Sequence, residues 1–409
     1  MIDIQLLKSH ADYVQRILKK DPAFPVALLL QYDETVRTLQ AEIESLRSQK
    51  NSLAQQSHKG VTDEVRQQSI ALGAQLKTKE EEFASKEEEY RALLLSCPNI
   101  PEADLPEGNK EANKVVREWG VQPTFDFAIK NHVELGESNK WFNSEAANKI
   151  AGSGFIFYQK EAVKLLYALA YFMLKHNSKN GFEVVLPPYV ANEQSLVTAS
   201  NFPKFKDEVF SIAADGLYLI PTSEVCLANV YRDEIIDENI LPIRMTAWSS
   251  CFRREAGNYG KMERGLIRIH QFEKVELFSI CQPENSAAEL DKMVTIAESL
   301  LQKLGLHYRV SLLAAQDCSF PSAKTYDIEV WLPGQNRYYE VSSASNCTDF
   351  QSRRGKIRYR KTVGEKPRLV HTLNASSLAL PRLMVAIMET YQQPDGTIKI
   401  PEVLTDYML

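Results

Sequence analysis

Between residues 26 and 96 the chain holds no proline and only two glycines, at 60 and 73, and its apolar side chains recur at alternating steps of three and four. Leu29, Tyr32, Val36, Leu39, Ile43, Leu46 and Leu53 form one such seam, which lapses once at Lys50. Val65, Leu72, Leu76, Phe83, Tyr90 and Leu93 form a second, interrupted by Ser69, Lys79 and Lys86. A heptad pattern keeps an apolar stripe facing a partner helix, so each seam predicts one long helix of a coiled coil. HKG at 58–60 breaks the pattern; reversal there sets Ile43 opposite Leu76, Val36 opposite Phe83, and Lys50 beside Ser69 near the tip. Each helix then runs for about 30 residues, roughly 45–50 Å. A hairpin so long and thin cannot bury itself along its whole length, which predicts a projecting antiparallel arm. A dimerisation coiled coil or a spacer would show the same pattern, and nine Lys or Arg against twelve Asp or Glu over 26–97 give the arm no basic excess.

At 409 residues the chain exceeds what one core usually organises, which predicts two domains, and 44% apolar residues suffice for a substantial core. A net charge of −5 excludes a generally basic nucleic-acid coat, so RNA contact must come from local patches. Cysteines at 97, 226, 251, 281, 318 and 347 form no C-x-x-C pair and no metal-ligand spacing, and read as reduced thiols of a cytoplasmic protein. The start, MIDIQLLKSHADYVQ, lacks the apolar core of a signal peptide, and no run is long and apolar enough to span a bilayer, so neither secretion nor membrane insertion is expected. SCPNIPEADLPEG at 96–108, with three prolines, reads as a linker. The expected domains are 1–105, carrying the arm at about 26–96, and 106–409.

In the second domain, 161–178 reads as an amphipathic helix and GFEVVLPPYV at 181–190 as a strand entering a double proline. The runs 217–224, 245–255, 266–280, 325–332 and 337–343 read as strands, and 378–392 as a helix. Runs joined by short polar loops favour antiparallel pairing, hence an α+β body on a mostly antiparallel sheet flanked by helices.

Two of these strands carry charge where a buried strand would carry Val, Ile or Leu. Period-two alternation puts Arg253 and Glu255 on one face of the first, and Arg268, His270, Phe272 and Glu276 on one face of the second. Such groups converge around a polar ligand, or else form cross-strand ion pairs on a solvated face. LYLIPTSEV at 217–225 ends in Thr222, Ser223 and Glu224, an acid placed to hold a cation or to cap the next helix. EVSSASN at 340–346 sets Glu340 and Val341 beside Ser342 and Ser343; oxygen ligands of this kind suit Mg2+, and a polar edge strand looks the same. QSRRGKIRYRKTVGEKPR at 351–368 carries eight basic residues and one acid, either a solvated face or a guide for phosphates.

The segment FRRE at 252–255 resembles the F-R-x-E core of motif 2 of the class II aminoacyl-tRNA synthetases, and GLIRIHQFEKVE at 265–276 is similar to the seryl-tRNA synthetases in particular. The resemblance runs over the whole chain, with motif 2 at about 245–280, a weaker motif 1 at about 161–190 ending in Pro187 and Pro188, and a short motif 3 at about 370–392. It implies a homodimer, ATP and L-serine as substrates, Mg2+ with the ATP, and serine tRNA as acceptor, with selenocysteine tRNA as a further one. The arm would grip the long variable arm of the tRNA by shape and backbone contact. Catalysis in such a site rests on positioning and cationic donors, with no nucleophilic side chain.

By the same resemblance, Arg253 contacts the α-phosphate and the serine carboxylate, Glu255 the adenine amino group, and Phe272 the adenine ring, with Arg254 and Ile269 in the same ATP site. Thr222, Ser223 and Glu224 bind serine, the acid taking its ammonium group; Glu276 takes the hydroxyl, and Ser376 lines that pocket. Glu340, Val341, Ser342 and Ser343 contact ATP, Glu340 and Ser343 hold its magnesium, and Arg382 lies against the γ-phosphate and the adenine face. A pocket built to bond a hydroxyl rejects an analogue lacking it by roughly 10⁴, which excludes alanine; threonine must be excluded by size. The chain departs from the family pattern at Gly154, Arg254, KMERG at 261–265 and AAQDCSFPSAK at 314–324. Two rival readings are an enzyme that charges a carrier protein, whose relatives lack the arm, and a silent RNA-binding paralogue, which intact Arg253, Glu255, Glu276, Glu340 and Arg382 oppose.

Overall fold

Two long helices, Val26–Ser57 and Asp63–Ser96, follow the two heptad seams. The computed structural model describes residues 1–57, 62–256 and 265–409; the reversal expected at HKG, 58–60, and the KMER stretch at 261–264 lie outside them. Leu29, Val36, Leu39 and Ile43 are buried along the first helix, as its seam requires. The cross-helix pairs run antiparallel: Lys86 Nζ lies 5.7 Å from the Tyr32 ring centroid, Lys79 pairs with Glu42 at 2.9 Å, and Arg47 with Glu80 at 2.8 Å. The first two lie within a helical turn of the expected register, whereas Arg47 reaches Glu80 eight residues beyond its register partner. Lys79 and Lys86, which interrupt the seam in sequence, thus reach across to the partner helix with their ammonium groups. Such exposed ion pairs contribute at most about 1 kcal/mol each, so the apolar stripe carries the stability. At the base, Asp33 is buried and accepts from the Tyr90 hydroxyl at 3.0 Å as well as from Lys8. Helices Ile4–Ser9 and Ala11–Lys20 complete this unit, which spans Ile2–Pro98.

The second unit comprises Asn99–Leu409 together with Met1. The stretch expected to be a linker is largely fastened to this unit: Asn99 Nδ2 donates to the carbonyls of Pro321 at 2.8 Å and Cys347 at 2.9 Å, and Leu105 is buried. The main sheet has eight strands among the described residues: β1 Lys114–Trp119, β2 Glu183–Val184, β3 Ile243–Phe252, β4 Gln271–Cys281, β5 Tyr308–Leu312, β6 Lys324–Leu332, β7 Arg337–Asn346 and β8 His371–Ala379. Their order is β1-β5-β6-β7-β8-β4-β3-β2. Every pair is antiparallel except β2 with β3. Helices Glu161–Lys179, Ser286–Lys303 and Leu380–Thr390 pack their apolar faces on one side.

Alternation along β4 shows how the sheet divides its faces. Val275, Leu277 and Cys281 enter the helix-covered core, while Phe278 and Ile280 join a second core with Met245, Ala247 and Ile220. Phe272, Lys274 and Glu276 share the parity of that second face. The strands are shorter than the sequence suggests at the charged loop: β3 ends at Phe252 and β4 begins at Gln271. Glu255 has φ +52°, so the period-two rule that put it beside Arg253 does not operate there.

Candidate active site

A cavity of about 510 Å³ opens on the polar part of that face, its wall including Thr222, Arg253, Glu255, Ile269, Phe272, Lys274, Glu340, Ser376 and Arg382. The site therefore gathers side chains from β4, β7, β8, the helix Leu380–Thr390, the loop that follows β3 and the turn after Leu217–Leu219. Glu276 is 1% exposed and Lys274 6%. Thr222 Oγ1 donates to Glu276 Oε2 at 2.8 Å, and the Lys274 ammonium forms an ion pair with the same oxygen. An unpaired carboxylate at that depth would cost several kcal/mol, which these two donors offset. Ala247 on β3 and Ser376 on β8 lie directly opposite Glu276, so small side chains flank the acid on both neighbouring strands.

Thr222 has a second task. Its Oγ1 accepts from the Glu224 N–H at 3.2 Å at the start of the short helix Glu224–Leu227. The Glu224 carboxylate accepts from Gln351 Nε2 at 2.7 Å and Asn374 Nδ2 at 3.1 Å. Burial and the nearby Glu276 push Glu224 up to about 7, against the pull of the Gln351 bond and of Lys274 and Arg253. Ser223 is fully buried and does not line the cavity; its Oγ finds no partner among the described residues.

Arg253 sits one residue beyond β3. Its N–H donates to His270 O at 2.9 Å, and His270 Nδ1 donates to Arg253 O at 3.0 Å, so the two limbs of the loop are clasped at its mouth. The guanidinium lies 5.2 Å from the Phe272 ring centroid, with Nε 3.4 Å from Pro221 O. Arg254 points to solvent while its N–H donates to Glu208 O at 2.9 Å. Glu255 is ion-paired with Arg268. The aligned face that sequence alternation promised is thus a clasp and an ion pair.

On another wall Arg382, in the first turn of its helix, donates from Nη1 to Glu340 O at 3.0 Å and lies 3.4 Å from Glu340 Oε2. Its guanidinium is 5.1 Å from the Tyr339 ring. Val341 and Ser342 are buried, Ser342 Oγ donating to Ser376 O. Ser343 hydrogen-bonds Asp327, its partner across β6 and β7. Burial and the Glu340 charge push Asp327 well above the usual carboxylate range, and its Oδ1 has no hydrogen-bond partner among the described residues. Two acids beside a serine hydroxyl, one with an orphaned oxygen, suit a hard divalent cation that takes its other ligands from phosphate and water. No group of three or more His, Cys, Asp or Glu placed to hold a metal ion occurs among the described residues.

The return limb of the loop is held by a buried pair. His132 Nδ1 donates to Glu389 Oε1 at 3.1 Å, and His132 Nε2 accepts from the Leu266 N–H at 3.3 Å. Gly265 has φ +80°, and a Cβ there would lie 2.2 Å from His132 Nε2, so only glycine fits beneath the ring. Leu266, Ile267, Arg268 and Ile269 run from this anchor into the cavity wall.

Several of these groups escaped the sequence reading. Lys274 was legible, since it stands two residues before Glu276 on one strand face. Asn374, Gln351, Asp327 and His132 carry no local signal; they are supplied by distant elements. The basic run at 351–368 is not one solvated face: Arg354 is buried and donates to the carbonyls of Val197 at 3.1 Å and Phe202 at 3.0 Å, and Arg353 pairs with Asp349. All six cysteines are free thiols, and no described helix is long and apolar enough to cross a membrane.

Residues 205–391 match the family model of the tRNA synthetase class II core domain (G, H, P, S and T), and residues 1–101 that of the seryl-tRNA synthetase N-terminal domain. A serine–tRNA ligase of Gemmatimonas aurantiaca is 43% identical over 418 residues, covering 100% of this chain and 98% of that protein. One of Desulfitobacterium hafniense is 41% identical over 415 residues, covering 100% and 99%. Among solved structures, the seryl-tRNA synthetase from Pyrococcus horikoshii complexed with ATP aligns with a TM-score of 0.92 at 35% identity, covering 100% of this chain and 98% of that one.

Proposed function

The chain belongs to the seryl-tRNA synthetase family, and from that premise we propose that it joins L-serine to serine tRNA, and to selenocysteine tRNA, in two steps. A serine carboxylate oxygen attacks the α-phosphorus of ATP, forming seryl-adenylate as pyrophosphate leaves. The 3′-terminal adenosine hydroxyl of the tRNA then attacks the seryl carbonyl, and AMP departs.

The observation that carries this reading is the buried Thr222–Glu276–Lys274 cluster, flanked by Ala247 and Ser376. A bonded carboxylate between small side chains suits a short amino acid with a hydroxyl. Glu224 meets the substrate ammonium. Arg253 bridges the serine carboxylate and the α-phosphate, and its planar fork stabilises the charge that builds at phosphorus. Phe272 and Arg382 hold the adenine and the phosphates, with Arg254, Glu255, Ile269, Val341 and Ser342 forming the rest of the ATP site, and Ser223 backing Glu224. Magnesium, bound through Glu340 and Ser343, would neutralise phosphate charge; Asp327 behind them supports that fit.

The arm of unit Ile2–Pro98 takes the tRNA and argues for RNA over a carrier protein as acceptor. Tyr171, Val184 and Leu186, the last at 81% exposure, are large apolar side chains left exposed within the motif 1 stretch, which supports a homodimer. Free thiols support a cytoplasmic setting. Pyrophosphate exchange assayed with each proteinogenic amino acid tests the function: serine alone should support it, and faster exchange with any other amino acid, or none with serine, overturns the reading.

A further inference from the structure

We propose that Lys274 is a positioning residue for serine recognition: its ammonium is the counter-charge that fixes the Glu276 carboxylate, turning one oxygen to the protein and leaving the other for the substrate hydroxyl. The inference rests on the serine-binding reading above. Its warrant is the asymmetry at Glu276, where the Thr222 hydrogen bond and the Lys274 ion pair both fall on Oε2. A carboxylate anchored through one oxygen presents the other at a set angle.

The fold alone supplies no reason for a lysine at this position. Its cross-strand neighbours are Ser249 on β3 and Ala379 on β8, and it is almost fully buried within the sheet. Replacing a buried ion pair by well-packed apolar groups is often neutral or stabilising, so a sheet under structural demands alone has no need of this pair. Lys274 also reaches the cavity wall, which a purely structural partner need not do.

Glu255, Arg268, Glu340 and Arg382 also line the cavity, and few charges act on the pair itself. Glu224 faces the pair from the short helix after Pro221, Arg253 from the end of β3, and the Cys251 thiol from within β3. β8 contributes neutral Asn374 and Ser376, and helix Phe350–Gly355 contributes neutral Gln351. Lys274 is therefore one of two cations acting on Glu224, the other being Arg253. Removing a cation beside an acid favours its neutral form, so the pH at which Glu224 ionises must rise when Lys274 is lost. A positioning role thus has a signature in pH as well as in affinity.

The test is serine-dependent pyrophosphate exchange by the full-length protein and its K274M, K274Q and K274R variants across pH. K274M and K274Q should raise KM for serine by at least ~10-fold, the loss of one charge-assisted bond, while KM for ATP changes by less than ~3-fold. The acid limb of kcat/KM for serine should move toward higher pH, and K274R should restore much of both properties. Parallel rises in both KM values, an unmoved acid limb, or loss of the fold in both neutral variants would make Lys274 a structural residue and overturn the proposal. No serine-dependent exchange by the unsubstituted protein would instead overturn the functional reading itself.

Discussion

Gly265→Ala tests how the body holds the return limb of the motif 2 loop. At φ +80° an L residue costs roughly 1–2 kcal/mol relative to glycine. The new Cβ would lie 2.2 Å from His132 Nε2 and 2.9 Å from Val133 Cγ2, contacts that force movement. The His132 ring cannot retreat freely, because Nδ1 is bonded to Glu389, whose carboxylate also accepts from the Gly334 N–H at 3.0 Å and from Gln335 Nε2 at 3.1 Å. Displacing the ring strips the buried Leu266 N–H of its acceptor, a penalty of about 1–3 kcal/mol. The total of about 2–5 kcal/mol falls on the segment that lines the ATP side of the cavity, leaving the Thr222–Glu276 contact in place. We expect KM for ATP to rise ~30-fold or more while KM for serine stays within ~3-fold. Pyrophosphate exchange with each substrate varied at saturating levels of the other measures both. An unchanged KM for ATP, or equal rises for the two substrates, would show that the His132 anchor does not hold the ATP side of the loop.

Replacing Arg253 with lysine should slow adenylate formation by at least ~10²-fold in single-turnover assays, because a point charge does not replace a fork aimed at two anions; near-normal turnover would assign the work to another cation. Deleting residues 30–93 should leave pyrophosphate exchange nearly intact while tRNA charging collapses, and equal loss of both activities would refute the division of labour. Glu224 must be ionised to meet the substrate ammonium, and in the free protein it is pushed up to about 7. Protonation as pH falls through that value removes the anion, so kcat/KM for serine should drop ~tenfold per unit below about 7 and level off above it; a flat profile down to about pH 5 would contradict the assignment.

The arm was the most legible part of the fold, since a step of three and four over two long proline-free runs has few other solutions. Five of the eight strands of the main sheet were legible too, but β1, β5 and β8 were not, and strand ends were not. Arg253 and Glu255 read as neighbours on one face, whereas the left-handed backbone at Glu255 turns that acid toward Arg268. Alternation holds only while the ladder continues, and here it stops at Phe252. The acids and cations of the site were visible as residues out of place in apolar runs. Their supporting groups were not. Gln351 reaches Glu224 from 127 residues away, and His132 reaches Leu266 from 134, so neither leaves a local pattern. Lys274 lay in plain view beside Glu276, but its meaning depends on burial, which periodicity alone does not supply.

Selection of serine depends on a buried glutamate, Glu276, that reads the hydroxyl of the amino acid. The ratio of kcat/KM for serine over alanine, compared between the unsubstituted protein and Glu276→Ala, tests it most directly. That ratio should fall at least ~10²-fold, toward indifference between the two amino acids. A ratio left unchanged by the substitution would contradict it.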